Sequence, residues 1–247
     1  KQPLIHNDKG TFEGILFGVK SATDYFVEAE GVRSPVYTLK VVDVPYVEHL
    51  TLDYTFPAYT GLEPEHIDDG GDIAALRGTT VKVTITATMK TKAGRLLIDD
   101  AQAVPLTAAA DGTLTATFVA QKDGTYHVEL EAPNGERVAA SPQYTIDVLD
   151  DRVPTITFSK PGRDTSASSI EEVYVEAQAD DDYGVKNLEL VYSVNGGPEK
   201  TVSLFNGSKR LPEVTASHTF YLEELGVKAG DSVSYFARAI DNSTVEG

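Results

Sequence analysis

The 247-residue chain contains no cysteine and no tryptophan. These absences exclude thiol nucleophiles, cysteine-based metal sites and disulfides, and the Cys–Trp core of antibody-type domains. They leave the compartment open, because units of roughly 100 residues fold without disulfides. No apolar run approaches the ~20 residues that a membrane helix needs, and no basic segment followed by an apolar one marks a leader. Basic side chains are few: 21 Lys and Arg stand against 38 Asp and Glu, for a net charge of −17. That balance disfavours nucleic acid and anionic lipid as partners and suits solubility and cation binding. Helical periodicity of useful length is missing as well. The chain starts at Lys1 rather than Met, so it is expected to be a piece of a longer protein, with any membrane anchor outside it.

Catalytic signatures are equally scarce. There is no nucleophile elbow, phosphate loop or dinucleotide fingerprint. The five histidines (His6, His49, His66, His127, His218) show no ligand spacing. No enzymatic activity is expected.

What is present is a repeated strand plan. Tyr37-Thr-Leu-Lys-Val-Val-Asp-Val-Pro45 and Tyr144-Thr-Ile-Asp-Val-Leu-Asp-Asp-Arg-Val-Pro154 each run from an alternating apolar strand through acid to proline. Each follows a second strand, Tyr25-Phe-Val-Glu-Ala29 or Tyr126-His-Val-Glu-Leu130. The period is about 105 residues, the scale of a domain array and not of a solenoid. Turns at Asp111-Gly112, Asp123-Gly124 and Asn134-Gly135 suit hairpins, because these pairs tolerate positive φ. The fold class is therefore all-β, as tandem immunoglobulin/fibronectin-III-like antiparallel β-sandwiches. Residues 1–46 read as the C-terminal part of an incomplete domain, with strands over Thr11–Val19, Asp24–Glu30 and Pro35–Asp43. Residues 47–150 read as a complete domain, in which Pro57, Gly61 and Pro64 exclude regular structure from Phe56 to Gly71. Residues 151–247 read as a domain that lacks its last strand, with one helical turn at Glu223-Glu224-Leu225 ended by Gly226.

Several stretches carry a family resemblance: Phe56-Pro-Ala-Tyr-Thr-Gly-Leu62, Gly78-Thr-Thr-Val81, Gly124-Thr-Tyr126, Asp180-Asp-Asp-Tyr-Gly-Val185, Leu222–Asp231 and Tyr235-Phe-Ala-Arg-Ala-Ile-Asp-Asn242. Together they resemble a family of large, uncharacterised bacterial envelope proteins. In that family, N-terminal membrane helices precede tandem immunoglobulin/fibronectin-III-like domains and a long helical region follows. The resemblance implies an extracytoplasmic, membrane-tethered protein, periplasmic or at the cell surface, and brings no catalytic residue with it.

Two candidate sites stand out. In a sandwich, the loop after the second strand and the loop after the sixth lie at the end where the chain enters. Asp180, Asp181 and Asp182, together with Asp241 and the linker pair Asp150 and Asp151, are therefore expected to converge at one domain junction. Calcium takes six to eight such oxygens, so Ca2+ is the one cofactor the sequence suggests. The corresponding loop of the preceding domain, Met89-Lys-Thr-Lys-Ala-Gly94, is basic and gives no such expectation. The second candidate is aromatic: Tyr54, Phe56 and Tyr59 form either a stacking platform for sugar or peptide or a plug for the open end of a sandwich. The expected function is a non-enzymatic structural or interaction module, a rod of sandwiches whose partners are proteins or polysaccharides of the cell envelope. The alternative is a carbohydrate- or peptide-binding module that uses the aromatic loop or a strand edge. Open edges also predict a strand-exchanged homodimer.

Overall fold

A computed structural model describes residues 3–7, 9–207 and 210–244. From Val47 onward, the alternating runs become long strands whose apolar faces meet. β1 (Ile5–His6), β2 (Phe12–Glu13), β3 (Thr23–Tyr25), β4 (Glu28–Ala29), β5 (Val32–Arg33) and β6 (Tyr37–Leu39) pair only two by two. No described residue before Pro45 is buried. The expected strands there are thus cut to two or three residues, because a two-stranded ribbon with no second sheet has no face to bury. Tyr25 is exposed and lies 5.7 Å from the Tyr37 ring.

The middle sandwich begins with β7 (Val47–Thr55), β8 (Glu65–Ile67), β9 (Ile73–Leu76), β10 (Thr80–Ala87) and β11 (Gly94–Ile98). It continues through β12 (Gln102–Pro105), β13 (Thr107–Ala108), β14 (Leu114–Val119), β15 (Gly124–Glu131), β16 (Arg137–Ala139) and β17 (Tyr144–Leu149). One sheet runs β13-β14-β10-β7-β8; the other runs β12-β11-β15-β17-β9, with β16 on β15. β8 corrects the expectation of irregular chain from Phe56 to Gly71: just past Pro64, Leu52 pairs with Ile67. The inward faces of both sheets form one core, in which Leu52, Val83, Leu96, Tyr126, Val128 and Leu130 are fully buried.

Tyr126 secures this core at one end. Its hydroxyl donates to the Gly71 carbonyl at 2.5 Å, which ties β15 to the chain just ahead of β9. Gly71 is required there, since a Cβ would come within 2.0 Å of a Tyr144 ring carbon. β9 and β17 pair in parallel, from Ile146↔Ile73 to Leu149↔Leu76.

The last sandwich has β18 (Thr155–Lys160), β19 (Glu172–Asp180), β20 (Val185–Val194), β21 (Lys200–Asn206), β22 (Glu213–Tyr221) and β23 (Val233–Asp241). Its sheets are β18-β19-β22 and β21-β20-β23. Its core is separate, built around Ala177, Val185 and Leu188 at one end and Val175, Leu190 and Phe220 at the other. The helical turn forms as α1 (Leu222–Leu225), closed by Gly226 in the left-handed region at φ 67°.

Candidate functional site at the second junction

Three stretches meet where the middle sandwich hands over to the last: the linker, the β19–β20 loop and the residues after β23. Strand alternation explains much of the arrangement. Val175, Ala177 and Ala179 face inward along β19, so Asp180 faces outward, where its Oδ1 accepts from Gln178 at 3.4 Å. The chain then turns, and Asp181 becomes buried, only 8% exposed. Its Oδ1 accepts the Tyr183 N–H at 3.0 Å, which closes a tight Asp-led turn. Its Oδ2 is enclosed and has no hydrogen-bond partner among the described residues.

Neither carboxylate oxygen of Asp151 has a partner in good hydrogen-bond geometry, and both are enclosed. The Tyr59 hydroxyl approaches Asp151 and offsets a small part of the rise in its pKa, while Ser243 lowers the pKa of Tyr59 itself. Burial raises the pKa of Asp151, and the neighbouring charges of Asp182, Asp181 and Asp241 raise it further. Burial likewise raises Asp181, against the lowering effect of the Tyr183 and Gly184 amides. Four of the six expected carboxylates, Asp151, Asp181, Asp182 and Asp241, are therefore close enough to repel one another. No ion pair with Lys, Arg or His reaches any of the four among the described residues.

Asp150 and Asp180 are not drawn into this group. Asp150 turns back to the middle sandwich, where Arg77 donates to it at 2.6 Å and holds its pKa below the usual carboxylate range. Asp180 points away with the outward face of β19. Among the described residues, no three His, Cys, Asp or Glu side chains already stand in metal-ligand geometry.

The second candidate site is closed. Tyr54 is 2% exposed and Tyr59 8%, while Phe56 packs on the core and stacks on Tyr54 at 6.2 Å. These aromatics act as a plug and offer no exposed stacking platform. Tyr59 instead meets the last sandwich, edge-to-face with Tyr183 at 6.0 Å.

Sequence reasoning overlooked Arg210. Its guanidinium donates to the Ala58 carbonyl across the junction, and its backbone lies against Gly184, where an added Cβ would sit 3.1 Å from the Arg210 Cα. The loop is tied further by Asn242, whose amide donates to the Gly184 carbonyl at 2.7 Å. An arginine in a polar turn carries no sequence signal of such a contact. Two shallow hollows lie on the middle sandwich, one beside Val47, Asp69 and Tyr144, the other beside Ile98, Phe118 and Lys122. Neither includes a junction carboxylate.

Residues 50–218 match a protein family described as a domain of unknown function, DUF4175, and the chain belongs to that family. No curated protein matches it. Among solved structures, the fibronectin(III)-like modules of CbhA from Clostridium thermocellum share 19% identity over 70% of this chain and 83% of theirs, with a TM-score of 0.26. The Rst D1-D2 structure shares 13% identity over 76% of this chain and 98% of its own, with a TM-score of 0.29. A DUF4785 family protein from Legionella pneumophila shares 9% over 83% of this chain and 75% of its own, with a TM-score of 0.27. No helix among the described residues is long and apolar enough to cross a membrane.

Proposed function

We propose that this chain is a non-enzymatic structural or interaction module, a spacer in a bacterial protein anchored to a membrane through segments outside this chain. It holds its neighbours apart on the extracytoplasmic side, in the periplasm or at the cell surface, and meets proteins or polysaccharides of the envelope. The observation that carries the reading is the stitched second junction. Arg210 bonds Ala58, Tyr59 packs on Tyr183, and Arg77 clasps Asp150 in the linker. A freely jointed pair of domains needs none of these contacts. Small-angle scattering of the monomeric chain, on a fraction separated by size immediately before the beam, tests it: the wild-type monomer should keep one maximum dimension from low to high salt, and Arg210→Ala should broaden the distance distribution. A wild-type profile already as broad as the variant's would overturn the spacer reading.

A second element of the proposal is calcium at this junction. It is favoured by the enclosed, unpartnered oxygens of Asp151 and Asp181, because a buried carboxylate without a partner has to protonate, hydrate or recruit a cation. Calorimetric titration of chelator-stripped protein, with magnesium alongside, should give saturable calcium binding that Asp151→Asn plus Asp181→Asn abolishes. Absence of both heat and thermal shift would make the cluster a solvated turn. The sugar- or peptide-binding alternative loses its aromatic platform to burial and keeps only the strand edges.

A further inference from the structure

On the middle sandwich, the Arg210 contact and the enclosed carboxylates depend on one turn. Pro57 to Thr60 is closed twice: the Thr60 N–H donates to the Pro57 carbonyl at 3.0 Å, and the Thr60 hydroxyl donates to the same oxygen at 2.8 Å. Within this turn, the Ala58 carbonyl accepts from the Arg210 guanidinium. The next residue, Tyr59, packs on Tyr183 and approaches Asp151. Gly61 follows at φ 67°, and a Cβ there would overlap the guanidinium.

On the last sandwich they depend on one loop. The Asp181 N–H donates to the Pro212 carbonyl at 2.9 Å, and the Val185 N–H donates to the Leu211 carbonyl at 3.0 Å. These bonds carry the β19–β22 ladder past its last rung, Asp180↔Glu213, and tie the Asp181 backbone to the stretch that bears Arg210. Gly184, at φ 106°, lies against the Arg210 backbone on one side and accepts the Asn242 amide on the other. Asp181 opens this loop, buried and with Oδ2 enclosed. Seating Arg210 on Ala58 and bringing Asp151 beside Asp181 therefore require the same arrangement of the two sandwiches.

We propose that Arg210 and a calcium ion held by Asp151 and Asp181 stabilise one and the same closed junction, so that each strengthens the other without touching it. The coupling presupposes the calcium site proposed above. Arg210 is then a positioning residue for the ion, acting through residues 181–185 and the Pro57–Thr60 turn. Linkage makes the effect reciprocal: the factor by which Arg210 raises calcium affinity is the factor by which calcium favours the Arg210 contact. Its sign separates coupling from plain electrostatics. Arg210→Ala removes a positive charge from the neighbourhood of a cation, which by charge alone would tighten calcium binding. A coupled junction requires the opposite, because the variant spends more of its time in arrangements that cannot hold the ion.

Calorimetric titration of chelator-stripped protein with calcium tests the proposal. Arg210→Ala should bind calcium about tenfold more weakly than the wild type, within the usual range of coupling between sites, and with the same stoichiometry. Gly61→Ala, which keeps every charge and obstructs the seat of the guanidinium, should weaken binding in the same direction. Small-angle scattering of the size-separated monomer reads the reciprocal effect. The broadened distance distribution of Arg210→Ala should narrow toward the wild-type profile at saturating calcium, and adding Asp151→Asn to that variant should remove the narrowing. Calcium binding by Arg210→Ala as tight as the wild type's, or tighter, would overturn the coupling and leave the calcium site standing. So would a variant profile that saturating calcium does not narrow. A wild-type chain that binds no calcium would overturn the site and the coupling together.

Discussion

Leu52→Ala should lower the melting temperature of the middle sandwich by roughly 12–24 °C and leave the last sandwich's transition near its wild-type position. Leu52 is fully buried at the centre of β7, opposite Val83. Removing a leucine of this kind costs about 3 kcal/mol, the sum of lost transfer energy and a residual cavity. For a unit of ~100 residues, each kcal/mol is worth about 4–8 °C. The effect should stay local, because the apolar residues around Leu52 all lie between Val47 and Val148, while the second core begins at Ile156. Leu188→Ala, at the equally buried centre of that second core, should move the other transition instead. Scanning calorimetry of the two variants checks the pairing. If either substitution shifts both transitions equally, the sandwiches melt as one cooperative unit.

The second large effect concerns charge. Asp151 and Asp181 have raised pKa values in the folded chain. A carboxyl whose folded pKa exceeds its unfolded value favours folding while it is protonated, and that contribution is lost as pH rises through the folded pKa. Without calcium, the two groups therefore oppose folding at neutral pH. Asp151→Asn with Asp181→Asn should stabilise the metal-free chain by about 2 kcal/mol at pH 7, on the scale of relieved buried, unpartnered groups. The advantage should fade as acid protonates the wild type. Other carboxylates pull the opposite way: Asp150, Asp99 and Glu129 have lowered pKa values and lose their stabilising contribution as pH falls. The informative quantity is thus the wild-type-minus-variant difference across pH, measured by urea unfolding. Saturating calcium should reverse its sign at pH 7. A variant that is less stable than wild type without metal would mean that the enclosed Asp151 oxygens and Asp181 Oδ2 are satisfied in the folded chain.

The middle and last sandwiches were largely legible in the sequence, because period-two alternation marks a strand wherever one face is buried. β10, β14, β15 and β20 announce themselves in this way. β9 does not: Ile73-Ala-Ala-Leu76 shows no alternation, and its parallel partner is 73 residues away. β8 is three residues long and sits directly after a proline. In the first 44 residues the same alternation overstates the strands, because among the described residues no facing sheet lies there for the apolar side to cover.

The junction was legible to the extent that loops at one end of a sandwich must meet. Asp151, Asp181, Asp182 and Asp241 follow from topology. Asp150 and Asp180 do not, since Arg77 captures the first across a long sequence separation and the phase of β19 turns the second outward. Arg210 shows the same limit from the other side, as its partner is a backbone carbonyl, which no side-chain pattern encodes.

The parallel pairing of β9 and β17 has a mechanical consequence. β17 runs directly into the linker, so tension on the chain pulls it lengthwise past β9. Hydrogen bonds across a pair loaded in that direction must give way together, whereas a hairpin pulled from its open end parts one rung at a time. Within the middle sandwich, the β9–β17 rungs therefore share with the β15–β17 rungs the load that tension places on β17, and that strand is better held against stretch than against peeling.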